Sequence, residues 1–157
     1  MLSTELAALY TRDLGRLLQE LRAFPDTPAL WKVAPGVTNA AGTLALHLEG
    51  NLREYVGRQL GGIDYKRDRP LEFSARGVEQ DELIGRIEAV REMVPRVIGA
   101  LAPAALGATY PEPYDGASLS TRHFLIHLSA HLSYHLGQID YLRRVTTGDG
   151  AISFVKG

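Results

Sequence analysis

Residues 121–144 read TRHFLIHLSAHLSYHLGQIDYLRR. At about 100° per residue with Phe124 as zero, Leu128 falls at about 40°, Ile139 at about 60° and Leu142 at about 0°. His131 falls at about 340° and His135 at about 20°, whereas His127 and His123 lie at about 300° and 260°. One apolar stripe on so long a periodic segment predicts a helix whose face must be covered by other helices. His131 and His135 are expected at the centre of that stripe, with His127 and His123 on the flank that carries Tyr134 and Tyr141.

Three further segments repeat this period, and strand-like alternation is nearly absent. The pattern predicts helices over about 3–23, 39–60, 79–101 and 119–146, which is an all-α four-helix bundle filling one domain over residues 1–157. Ser3 or Thr4 suits the first cap, Thr38 or Asn39 the second, and Ser118 or Ser120 the last. Pro25 stops the first helix and Gly61-Gly62 the second, while Pro95 predicts a kink near Met93 in the third. The linker GGIDYKRDRPLEFSARG (61–77) exceeds the usual bundle turn of about two to eight residues. It is expected to cross over along the bundle, making helices two and three parallel in an up-down-down-up order. The stretch 102–117, with Pro103, Pro111 and Pro113, reads as a second long loop.

Composition excludes several classes of function. Of 157 residues, 45% are hydrophobic and 22% charged, as in an ordinary globular chain. Seventeen basic against eighteen acidic residues give a net charge of −1, so no global field draws the protein to nucleic acid or to a membrane surface. With no cysteine, disulfides, thiolate metal sites and a cysteine nucleophile are ruled out. The least polar stretch, VIGALAPAALGA (97–108), is too short and too broken by Pro103 to span a bilayer. Glu5 and Asp13 interrupt what could have been the apolar core of a signal peptide, so the chain is expected to stay in the cytoplasm.

Chemistry concentrates on imidazoles. Four of the five histidines stand every fourth residue on the last segment, and neighbours one turn apart can share an ion. The fifth, His47, edges a stripe of Leu44, Leu48, Leu52 and Tyr55 on helix two, at a depth that can meet His131 and His135. Two inward imidazoles must remain neutral and find partners. They can do so as hydrogen-bonded packing residues, as axial haem ligands, or as ligands of a divalent ion with an open position. H-E-x-x-H, Glu-x-x-His, G-x-S-x-G and P-loop motifs are all missing from the sequence.

His47 with Asn51 in ALHLEGNLREYV, the loop RDRPLEF, and H-x-x-x-H-x-G-Q at His131, His135, Gly137 and Gln138 resemble the DinB/YfiT-like superfamily over nearly the whole chain. The resemblance implies an up-down-down-up bundle that often dimerises. It implies His47, His131 and His135 as ligands of a divalent metal ion, zinc or nickel, with Asn51 and Gln138 supporting them. It further implies a small-molecule substrate and transfer of a low-molecular-weight thiol, as in bacillithiol and mycothiol S-transferases, or a hydrolase. The alternative is a non-catalytic metal-binding or dimerising bundle, stress-related in role.

Leu132 and Leu136 stand where this superfamily commonly has Glu and Arg after the paired histidines. Tyr55, Arg58, Tyr134 and His127 are therefore candidate substrate contacts, with Glu54 beside them. Arg67, Asp68 and Arg69 suggest an anion clamp. The preferred reading is that RDRPLEF folds back on the bundle through local ion pairs and Phe73 packing.

Overall fold

A computed structural model describes residues 1–154. The proposed domain's last three residues lie outside that range. Among the described residues there are seven α-helices, one π-helical turn and no named strand. Four helices are long: α1 (Leu2–Arg22), α3 (Ala41–Leu52), α5 (Gln80–Gly99) and α7 (Thr121–Thr147). The turn Arg53–Arg58 prolongs α3 in π geometry. Such single π turns inside helices frequently accompany functional sites.

Three short helices lie outside the four predicted ones: α2 (Thr27–Leu30), and, in stretches that the sequence suggested were loops, α4 (Arg69–Ser74) and α6 (Pro103–Gly107). Each carries a proline in its first turn. A proline there sacrifices an amide that has no helical partner anyway, so it starts a helix as readily as it stops one. Asp26 caps α2 by accepting from the Ala29 amide at 2.8 Å, and Asp68 caps α4 by accepting from the Leu71 amide at 3.0 Å.

Two predicted caps are corrected. Helix α1 begins behind Met1 with no side-chain cap, because Ser3 already lies inside the helix and buried. Helix α3 begins behind Ala40, whose backbone is extended, two residues later than Thr38 suggested. On α7 the expected Ser120 cap is present, with its Oγ accepting from the His123 amide at 3.3 Å. Helix α5 runs through Pro95 to Gly99.

The long helices share one core, in which Tyr10, Leu14 and Leu17 of α1, Leu48 and Leu52 of α3, Leu83 and Ile87 of α5, and Leu125 and Leu132 of α7 are almost wholly buried. Contacts fix their register. Along α3 and α5, numbering rises together from Glu49–Arg86 through Gly57–Met93 to Gly61–Val97. Along α1 and α7 it also rises together, from Tyr10–Leu125 through Asp13–Ser133 to Glu20–Arg143. Along α1 and α5 it runs in opposite senses, from Ala7–Gly99 through Gly15–Arg91 to Arg22–Glu88. It does so again along α3 and α7, from His47–His131 to Tyr55–Phe124.

The crossover between α3 and α5 is pinned at both ends. Trp31 donates its indole N–H to the Val78 carbonyl at 2.9 Å, and its ring lies so close to Gly42 that a Cβ there would collide with it. At the other end Glu72 of α4 lies against Gly50, where a Cβ would strike the carboxylate. No helix among the described residues is long and apolar enough to cross a membrane.

Candidate metal centre

Helix α7 places His131 and His135 one turn apart, and α3 brings His47 to face them. His47 Nε2 lies 3.2 Å from His131 Nε2, and His131 Nε2 lies 3.1 Å from His135 Nε2. One ligand atom from each of the three histidines lies within 4.8 Å of the others, so the group could hold a metal ion.

The stripe on α7 is centred elsewhere than the sequence suggested. Leu125, Leu128, Leu132 and Ile139 are buried to within 2% exposure. They centre the buried face at about 70° on the same wheel. His131 and His135 therefore sit on its shoulder and are partly exposed. The leucines displace them because Leu132 and Leu136 extend the apolar face away from Phe124. At the shoulder the imidazoles meet a cavity instead of a sealed core.

Hydrogen bonds fix two of the three tautomers. His47 Nδ1 lies 3.0 Å from Glu72 Oε2, and His135 Nδ1 lies 2.6 Å from Gln138 Oε1. Both partners are acceptors, so each Nδ1 carries the proton and each Nε2 turns a bare lone pair inward. Glu72 is itself held by Arg67 through two bonds of 2.7 and 2.9 Å. Burial works to raise the Glu72 carboxyl, but bonding to His47 and Arg67 holds it below the usual range.

Two buried polar atoms nearby, His131 Nδ1 and Asn51 Oδ1, lack a hydrogen-bond partner among the described residues. Lone pairs of His47 and His135 converging around His131 repel one another unless a cation or a single proton stands between them. The 3.1–3.2 Å nitrogen separations match the roughly 3.3 Å edge of a tetrahedron with metal–nitrogen bonds near 2.0–2.1 Å. The donor set fits a divalent ion.

The candidate contacts fall into three groups. Tyr55, Asn51 and His127 line a cavity of about 180 Å³ that reaches His47 and His131, together with Phe124, Tyr114 and Arg69. Tyr134 is mostly exposed, with its ring 5.2 Å from that of His135. Arg58 is paired with Glu54 and Glu112, lining a separate recess with Tyr55 and Arg67. A larger cavity of about 550 Å³ behind the 34–39 segment touches the centre only through Gln138.

Glu72 is the functional residue that the sequence did not single out. Its signal was present: Asp68 followed by Pro70 marks a helix start, which carries Glu72 back toward α3. The segment does fold back through local ion pairs, with Arg67 on Glu72 and Arg69 over the Phe73 ring at 5.1 Å.

Burial first, and then the neighbouring His135, His47, His127 and Arg67, push His131 down from 6.5 to about 4. Burial also lowers His135, against its bond to Gln138 and with His47 adding to the effect. An unfolded chain takes up a proton at His131 as pH falls through about 6.5, while the folded chain refuses it until about 4. The metal-free fold thus keeps this contribution in full above about 6.5 and loses it as pH falls toward about 4. Urea unfolding with a chelator present is expected to show a midpoint that drops across this window. A midpoint unchanged from about pH 7 to 4.5 would contradict a buried neutral imidazole.

Residues 9–139 match the family model of the DinB superfamily. No curated protein matches the chain. Among solved structures, a DinB-like protein from Bacillus cereus ATCC 10987 is similar with a TM-score of 0.72 and 15% identity, covering 94% of each chain. At that identity the likeness concerns the fold.

Proposed function

The chain belongs to the DinB superfamily, and from that premise we propose that it is a metal-dependent enzyme acting on a small molecule at His47, His131 and His135. The observation that carries this reading is the approach of His47 Nε2 and His135 Nε2 to within 3.2 and 3.1 Å of His131 Nε2, with two tautomers fixed from behind. Zinc or nickel suits three imidazoles with an open position. When bound, such an ion acidifies a coordinated water or thiol.

The remaining work falls to the chain's own residues. Glu72 orients His47, Arg67 keeps Glu72 ionised, and Gln138 orients His135. Tyr55, His127 and Phe124 wall the cavity in which the second reactant lies. We propose that the nucleophile is a low-molecular-weight thiol, whose sulfur displaces a leaving group from an electrophilic carbon, or water in a hydrolase. The four long helices are read as an up-down-down-up bundle, supported by the parallel register of α3 with α5 and of α1 with α7.

Cobalt(II)-loaded protein tests the open position. Adding β-mercaptoethanol is expected to change the visible spectrum and introduce a thiolate-to-cobalt band. A spectrum indifferent to thiol and to azide would mean a closed site in a non-catalytic bundle.

A further inference from the structure

We infer that the cavity beside the three histidines takes a small organic carboxylate, with Arg69 meeting its charge and the rings of Tyr114, Phe124 and His127 holding a flat apolar remainder. This rests on the functional reading above and names its substrate class. The three consecutive charges of the RDRP run part company in the fold. Arg67 is committed to Glu72 through two hydrogen bonds, and Asp68 caps α4. Arg69 has no ion-pair partner among the described residues. Its guanidinium instead lies over the Phe73 ring, 5.1 Å from the centroid, at the edge of the cavity. Stacking orients the planar group while leaving its N–H edge free, which is the geometry that receives a carboxylate.

The remaining walls agree with that ligand. No carboxylate lines the cavity among the described residues, and the nearby Glu72 is neutralised by Arg67. By contrast, the recess on the other side of Tyr55 and Arg67 holds Glu54 and Glu112. Tyr114 and His127 lie 4.3 Å apart, and Phe124 and His127 stack at 6.0 Å. Phe124 and His127 lie within 22° of parallel and Tyr114 is tilted 44° from His127, so a planar group can lie along the first two rings with the third at its edge. Asn51, 7% exposed, also lines the cavity. The volume of about 180 Å³ is that of about six waters at ~30 Å³ each, which suits a small molecule.

Benzoate and its neutral isostere nitrobenzene separate charge from shape. Ligand-observed NMR titrations would use wild type, Arg69→Gln and Arg96→Gln, each zinc-loaded and chelator-treated, with metal content measured on the same samples. Arg96 is exposed on α5, so its substitution removes the same charge away from the cavity. Wild type and Arg96→Gln are expected to bind benzoate at least about tenfold more tightly than nitrobenzene, as a charged hydrogen bond supplies, and Arg69→Gln is expected to lose that preference.

A preference that survives Arg69→Gln overturns the proposal. If it survives only with zinc present, the carboxylate is held by the metal, and the centre stands while the assignment of Arg69 falls. Equal binding of the two probes, or no benzoate binding at about 10 mM, overturns it as well. Absence of metal in every sample overturns the enzymatic reading instead, and the loss of preference in Arg69→Gln then still decides the role of Arg69.

Discussion

Untagged protein carrying His131→Ala is expected to retain almost no divalent metal, where the unsubstituted chain holds about one ion per molecule. His131 is the middle member of the group: its Nε2 lies within 3.2 Å of His47 Nε2 and 3.1 Å of His135 Nε2. Removing it leaves two imidazoles on different helices, with their lone pairs still aimed at an emptied position. Loss of a supporting partner alone costs about 10–100-fold in metal affinity, so Glu72→Gln should lie between wild type and His131→Ala. His127→Ala should keep its metal, since His127 lines the cavity outside the group. Elemental analysis of the four proteins after reconstitution with zinc or nickel checks the series. Stoichiometric metal in His131→Ala would make these histidines packing residues.

Glu20→Ala is expected to destabilise the fold by about 3–5 kcal/mol, the usual consequence of stranding one member of a buried ion pair. Arg143 is 2% exposed and Glu20 is fully buried, and Arg143 Nε reaches Glu20 Oε2 at 2.5 Å. Without Glu20 the guanidinium cannot shed its proton. It keeps the Gly150 carbonyl at 3.0 Å and Asp140 at 3.6 Å, which places the loss toward the lower end.

Arg143→Met should be milder. Burial already raises the Glu20 carboxyl against the pull of Arg143, and Asp140 raises it further, so Glu20 can take up a proton when its partner is gone. The double variant Glu20→Leu with Arg143→Met should recover most of the loss, because an apolar pair avoids desolvating charge. Urea unfolding of the three variants gives the order directly. Equal losses in the two single variants would contradict a carboxyl poised to neutralise.

These two sites show how far the sequence could be read. The histidine spacing and the depth of His47 were visible because a helix repeats every 3.6 residues, and that period alone puts His131 and His135 on one side. Their exact depth was not visible, since the face is set by Leu125, Leu132 and Leu136, whose burial depends on neighbouring helices. Glu20 and Arg143 escape notice for a related reason: a charge at a helix surface and a charge in a buried pair look alike until the partner helix is in place. Two of the short helices were hidden inside stretches read as loops, although Pro70 and Pro103 each stand in a first turn.

The chain has a single tryptophan, and Trp31 stands where the crossover is fastened, with its indole on the Val78 carbonyl and its ring on Gly42. All tryptophan emission therefore comes from that one seam. The same crossover carries Glu72 to His47, so the protein has a built-in optical reporter of whether the segment supporting its metal ligands is seated. No label is required to follow it.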